Sequence, residues 1–420
     1  MIRLFSIFFL ICFFSSSLIA SSILIPMDKT QSNHLKAYGI AYFILENDVT
    51  IEWLLNYRGG SFLTPHLAAI EDELIIRGVS YEVLADGQVN AIKREISSPE
   101  SNTEIVQLEV APKIAVYTPP GLQPWDDAVT LVMEYAEIPY TEVYDSLVLA
   151  GGLAEFDWLH LHHEDFTGQY GKFYAAYRNA PWYRQQVADM EASARRLGFQ
   201  KVSQMKLAVA QTIKNYIFAG GFLFTMCSGT DSFDIALAAH KTDIADHMYD
   251  GDPMDPNFAA KLDFDNTLAF TNFQIKENPL EYEYSTIDGT DRHRGIPEKE
   301  DVFMLFEFSA KWDVVPTMLT QSHTRVIKNF YGQTTDFVMD YLKPEVIVMG
   351  ESKIINTAKY IHGEHGQGTW TFYGGHDPED YQHRVGDPPT DLSLHPNSPG
   401  YRLILNNVLF PAAKKKKRKT

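Results

Sequence analysis

Cys227 ends an apolar run, Ala219-Gly-Gly-Phe-Leu-Phe-Thr-Met226, and begins the segment Cys227-Ser-Gly-Thr-Asp-Ser232. A strand that ends in a nucleophile and turns at once into a helix lifts that side chain clear of the sheet. It also turns the first amides of the helix toward developing negative charge. A second strand pattern, Gly368 to Tyr373, runs out at Gly374-Gly-His-Asp-Pro378, so His376 follows a strand as well. An imidazole beside a thiol depresses the thiol pKa and carries its proton to a leaving group. The pair points to acyl transfer, with Cys227 as nucleophile and His376 as base. The imidazole needs an acceptor on its other nitrogen, and Asp377 and Glu379 are the nearest acids in the chain. The bland alternative is a small packed cysteine and a turn histidine.

The densest polar cluster is Leu159-His-Leu-His-His-Glu-Asp165. Strand alternation puts His160, His162 and Glu164 on one face and His163 with Asp165 on the other. Imidazoles and carboxylates suit zinc or a similar divalent ion, so His160, His162 and Glu164 form a candidate metal set, with His362, Glu364 and His365 as a second arm. The competing expectation is that no cofactor binds and that His162, His163 and Glu164 orient a substrate. Asn56-Tyr-Arg58-Gly-Gly-Ser61 follows a strand pattern, and its glycine loop with Arg58 is a further candidate for holding a carboxylate or phosphate, against an ordinary turn.

These residues need a scaffold. Strand patterns at Ile23 to Met27, Val49 to Tyr57 and Val79 to Leu84, with helical stretches at Ser32 to Glu46 and His66 to Arg77, predict a βαβαβ lobe with a parallel sheet. A polar stretch over 97–110 reads as a linker. The pattern restarts at Lys113 to Tyr117 and continues through a helix from Asp126 to Glu137, the strands Thr141 to Tyr144 and Phe156 to His162, and two helices between Pro181 and Tyr216. An aperiodic segment over 246–295 reads as an insertion or cap. Strands at Pro344 to Met349 and Gly368 to Tyr373 and a helix at Leu403 to Phe410 close the chain. The expected fold is α/β in two open parallel-sheet lobes (23–96 and 111–413), with ligands beyond the carboxyl ends of the strands.

The second lobe resembles the class I glutamine amidotransferase-like superfamily, which is flavodoxin-like and includes intracellular proteases and trehalose-utilisation-like proteins. Phe222-Leu-Phe-Thr-Met-Cys227-Ser-Gly229 matches its nucleophile elbow, and Gly366-Gln-Gly-Thr-Trp-Thr-Phe-Tyr-Gly-Gly-His376 its histidine strand. The resemblance implies Cys227 as nucleophile, His376 as base and Ser228 at the oxyanion. The chain departs from true glutaminases in Thr225, where they carry glycine, and in Pro378, where their acid stands. The whole chain is also similar to secreted bacterial proteins labelled asparagine synthetase B, which implies an ATP-dependent amidotransferase. Against it, Ser228-Gly-Thr-Asp-Ser232 is one residue short of a pyrophosphate loop.

Met1-Ile-Arg3, an apolar stretch to Phe14 and small residues to Ser22 read as a signal peptide over 1–22, which would carry Cys12 away. The mature protein is then exported, periplasmic or extracellular, with Cys227 as its single cysteine. A net charge of −18 argues against nucleic acid as a partner, and Lys414 to Lys419 form a basic tail over 414–420. No later run is long enough to span a bilayer. The reading is therefore a secreted Cys-His hydrolase or amidohydrolase acting on a small-molecule or peptide amide or ester. The alternatives are a non-catalytic ligand-binding or envelope-scaffold protein and the synthetase.

Overall fold

The computed structural model describes residues 21–121 and 126–413. The leader, Cys12 and the basic tail lie outside the described residues, apart from Ser21 and Ser22, which open the first strand. Five strands form one sheet: β1 (Ser21–Ile25), β2 (Ile51–Leu55), β3 (Ser61–Pro65), β4 (Glu82–Ala85) and β5 (Glu104–Leu108), in the order β4-β1-β3-β2-β5. Every pairing in it is antiparallel, which corrects the expected parallel βαβαβ lobe. The cause is β3, which follows β2 after a tight turn through Asn56, Arg58, Gly59 and Gly60, all at positive φ. A return that short joins antiparallel neighbours, whereas a parallel pair needs a long crossover. β5 lies within the polar stretch 97–110 and pairs along β2.

The second sheet is larger and mixed. Its parallel half runs β15 (Gly368–Tyr373), β9 (Phe222–Met226), β8 (Trp158–Leu161), β6 (Ile114–Tyr117) and β7 (Thr141–Val143). Beyond β15 the neighbours are antiparallel: β14 (Thr357–His365), β13 (Ile347–Ser352), β10 (Val302–Leu305) and β11 (Val326–Lys328), with the short β12 (Phe337–Val338) paired to β14. The second lobe is thus also not an all-parallel sheet. The chain is mixed α/β with two sheets, and 246–295 holds only short helical turns and isolated bridges.

Three helices, His34–Glu46, Ala128–Ala136 and Pro399–Leu409, lie in one shared hydrophobic core with residues of both sheets. The first and last are buried almost all round, as expected for helices with protein on every side. The first approaches the second so closely that a Cβ on Gly39 would stand 1.8 Å from Ala136 O. The last carries Arg402, whose buried guanidinium donates to Met27 O (2.9 Å), Gly59 O and the Tyr38 hydroxyl (3.1 Å). This one side chain ties the end of the chain to two loops of the first sheet. No described helix is long and apolar enough to cross a membrane.

Replacing Arg402 with methionine keeps the length of the side chain but leaves Gly59 O without its donor, at about 1–3 kcal/mol, while Met27 O keeps His34 Nε2 (3.0 Å). A loss of about 1–3 kcal/mol in denaturant unfolding is expected. A midpoint unchanged from the parent would show that the contact contributes nothing.

Candidate active site at the carboxyl ends of β8, β9 and β15

Cys227 follows β9 directly and caps the helix Ser228–Ala238, with φ 48° and ψ −139°. For a residue other than glycine this backbone costs of order 1–3 kcal/mol. Local bonds hold it: Cys227 N donates to Gly375 O (3.2 Å), and Cys227 O accepts from Thr230 N (3.2 Å) and Thr230 Oγ1 (2.6 Å). Gly229 N donates to His162 O (2.8 Å), an approach that a Cβ on Gly229 would block at 2.5 Å.

The thiol is buried and sits among backbone amides. Gln333 N donates to Sγ at 3.3 Å, and the amides of Ser228 and Thr334 also act on it. Burial pushes the thiol up, against the pull of those amides. The loop 330–336 that brings two of them carries no signal that sequence reasoning recognised. It is fastened on all sides. Gln333 Nε2 donates to Gly171 O (2.7 Å) and Tyr282 O (2.8 Å), Thr334 Oγ1 to Asp231 (2.8 Å), and Thr335 N to Asp288 (3.0 Å). Buried Lys359 donates to Phe330 O (2.5 Å) and Thr335 O (2.8 Å), and burial holds its ammonium down to about 7. His293 bridges Asp336 (2.7 Å) and Asp301 (3.0 Å); burial opposes its charge, but the two carboxylates push it up to about 9.

His376 is 7% exposed and follows β15 through the Gly374-Gly375 turn, with its amide on Tyr331 O (2.9 Å). Neither Asp377 nor Glu379 serves its ring. The Asp377 carboxylate accepts from Glu379 N (2.9 Å) and Thr390 Oγ1 (2.7 Å), while Glu379 pairs with His395 (3.1 Å). The acid expected next in sequence is replaced by a chain of groups from other strands. His376 Nδ1 meets His162 Nε2 at 3.0 Å, and His162 Nδ1 meets Asp127 Oδ1 at 3.2 Å. Asp127 accepts from Val129 N (2.8 Å) and Thr130 N (3.3 Å) as the cap of its helix, and also contacts His160 Nε2 at 3.3 Å. Burial opposes the Asp127 charge, yet His160 and His162 hold the carboxyl well below the usual range.

One proton assignment satisfies this chain: His162 Nδ1 donates to Asp127 and His376 Nδ1 donates to His162 Nε2. It leaves a lone pair on His376 Nε2, which makes no hydrogen bond among the described residues. Burial, with His162, His163 and His383 nearby, holds His376 well below the ordinary imidazole range, so it is neutral. His383 stacks on it with ring centres 4.5 Å apart. Burial opposes the charge of His383, but Asp126 and Asp380, each at 3.0 Å, push it up to about 9. No hydrogen bond joins Cys227 Sγ to His376; both pack against Gly332, where a Cβ would lie 3.0 Å from Sγ and 2.8 Å from His376 N.

His160 on β8 and His162, one residue past its end, both meet Asp127, as expected. Glu164 does not join them, because β8 ends at Leu161 and the alternation does not persist three residues further. Glu164 is buried near Lys206 and Asp145, and burial pushes its carboxyl up to about 7. His362 bonds Thr371 within the sheet (2.9 Å). Glu364 and His365, paired with Thr369 and Gly368, stand at the opposite end of β15 from His376, so no second arm reaches the site. Arg58 is held by Asp28 (2.8 Å) and Glu82 (2.7 Å) in the first sheet's turn. Ser228 to Ser232 are buried in a helix, with Asp231 on Thr334 (2.8 Å) and Ser232 on Glu164 O (2.8 Å), so they do not form an open pyrophosphate loop. Asp127 and His383 were missed: one reads as an ordinary helix cap, and the other is one histidine in a polar tail segment.

No family model and no curated protein matches the chain. Among solved structures it is similar to the cytoplasmic proteins STM3548 and STM1381 of Salmonella typhimurium, at 9% and 11% identity and TM-scores of 0.34 and 0.36. Each likeness covers 72% of this chain and 100% of the other. A β-galactosidase of glycoside hydrolase family 42, Gan42B, matches at 10% identity and a TM-score of 0.26, over 64% of this chain and 28% of that one.

Proposed function

We propose that the protein is an exported cysteine-dependent hydrolase that cleaves an amide or ester on a flavodoxin-like, class I amidotransferase-like core. The observation that carries the reading is the strained Cys227 turn, whose thiol is set among backbone amides and meets the His376 backbone around Gly332, together with a neutral His376 whose Nε2 is unused. The thiol proton passes to His376 Nε2, through thiol rotation or one water, since resting catalytic contacts are often long. The S–C bond forms, and the carbonyl oxygen takes the electron pair beside the amides of Ser228, Gln333 and Thr334. The imidazolium then returns its proton to the leaving amine or alcohol as that bond breaks. Water next attacks the thioester, giving its proton through His376 to the departing thiol and releasing the acid. His162 and Asp127 are positioning residues that fix the His376 tautomer.

A ligand-binding or envelope-scaffold protein on the same core is the second reading. It is favoured by the absence of a direct Cys227 to His376 hydrogen bond and by a thiol held high by burial. Labelling with iodoacetamide separates the two: the hydrolase reading requires modification at Cys227 that slows in His376→Ala, and an inert thiol ends it. Against a panel of amide and ester substrates, Cys227→Ser is expected to lower kcat at least about a thousandfold with the fold intact. Unchanged turnover would remove the thiol from the reaction.

The pH profile follows from the two shifts. With His376 already neutral, kcat/KM has no inflection near the ordinary imidazole value of about 6.5, and it declines where the thiol loses its proton to solvent, above about 8.5, because that proton is the one His376 passes to the leaving group. A single rise centred near 6.5 would assign the base to a solvent-exposed histidine instead. Gly332→Ala places a methyl group against Sγ and His376 N, so it should cut both labelling and turnover at least about tenfold. Parent-like rates in this variant would show that the loop is not part of the site.

A further inference from the structure

His162, His163 and His376 each present one ring nitrogen, and the three atoms lie within 4.8 Å of one another. His162 Nε2 and His376 Nδ1 stand 3.0 Å apart. Two nitrogens on one tetrahedral zinc are about 3.3 Å apart when each Zn–N bond is about 2.0 Å, so a small relaxation makes room for the ion. Behind His162, its Nδ1 meets Asp127 at 3.2 Å, and Asp127 is itself fixed by two helix amides and by His160. A carboxylate on the far nitrogen of a ligating histidine is the usual second support of such ions, because it fixes the tautomer and raises ligand basicity. His163 is half-buried, whereas His162 and His376 are buried. Three imidazoles suit zinc or a similar ion and not a hard oxygen-seeking cation.

We propose that His162, His163 and His376 bind one divalent ion of the zinc class, and that metal binding and base catalysis at His376 exclude each other. The second half rests on the Cys-His reading; the first does not. The proton balance explains the exclusion. In the metal-free site His376 carries its proton on Nδ1 and offers the Nε2 lone pair to the thiol. When Nδ1 ligates the ion, that proton moves to Nε2, and the imidazole changes from base to N–H donor with no net proton gained or lost. The thiol then has no acceptor, and the enzyme is inhibited until the ion leaves.

Zinc titration of the intact protein by calorimetry, with a chromophoric chelator in competition, tests the site without reference to turnover. One ion per chain is expected. His163→Ala and His376→Ala each weaken binding at least about tenfold, and Asp127→Asn weakens it about 10–100-fold. Cys227→Ser leaves affinity unchanged, and cobalt in place of zinc shows no thiolate charge-transfer band, a readout that needs no variant. No zinc binding by the parent, equal affinity in both histidine variants, or a thiolate band would overturn the site. Iodoacetamide labelling of Cys227 tests the exclusion: one equivalent of zinc slows it at least about tenfold and a chelator restores it. Labelling at full rate with zinc bound overturns the exclusion while the calorimetry stands. A thiol that never reacts ends the catalytic reading and the exclusion with it, and the metal site is then decided by calorimetry alone.

Discussion

Three stretches of backbone converge at the end of β9 in a space that admits no side chain, and the glycine at 332 marks it. A Cβ there would press on Cys227 Sγ, on Gly375 C at 2.9 Å and on His376 N. The thiol turn, the 330–336 loop and the turn after β15 must therefore be placed together, each defining the position of the others. Backbone bonds complete the lock: Cys227 N to Gly375 O, Gly375 N to Thr334 O (2.8 Å) and His376 N to Tyr331 O. The strained φ of Cys227 persists because it is over-determined in this way. The buried charges around the loop, Lys359 and the His293 pair of carboxylates, have a structural use of the same kind. They hold the carbonyls and side chains of 330–336 so that its amides face the sulfur.

The helical layer shared by the two sheets reaches the site through Asp127. That residue begins the helix Ala128–Ala136, which packs on His34–Glu46 from the first lobe, and its carboxylate serves the helix amides and two histidines at once. The first sheet thus supports the helix that orients the His162 to His376 chain. A carboxylate in such a place keeps its charge because amide hydrogens and imidazoles surround it where water is largely excluded.

Much of the scaffold was legible because it is local. The apolar run into Cys227, the strand into His376 and the two long helices after Pro181 all declare themselves within a dozen residues. What failed was pairing. β3 and β14 were not seen, and with them the antiparallel return that makes the first sheet and half of the second. Strand direction depends on which segments meet in space, and a burial pattern alone does not encode it. The site divided along the same line. Cys227, His376, His160, His162 and His163 were found where they cluster in sequence or end a strand. The partner of His376 was sought at Asp377 and Glu379, two positions within three residues of it. The group that serves it stands 214 positions away, at His162, and the amides facing the thiol come from a loop with no marker residue. Alternation predicted Glu164 beside His160 and His162 by continuing a strand past its last residue.

The surroundings of the two reactive groups differ in a way that sets the resting state. Amides and apolar burial surround the thiol, and the net effect is upward. Burial, other imidazoles and a protonated His383 act on His376, and the net effect is downward. Both shifts disfavour a thiolate-imidazolium ion pair, so the site rests as a neutral thiol beside a neutral base. Oxidation proceeds through the thiolate. In the exported setting proposed above, a lone cysteine kept neutral and buried survives where a resting thiolate would be consumed. In the hydrolase proposed above, the same arrangement would make nucleophile formation depend on an acyl group in place: only when a carbonyl oxygen beside the amides takes up the charge would transfer of the thiol proton to His376 leave no uncompensated anion on sulfur. Protection of the thiol and its activation then follow from one electrostatic arrangement.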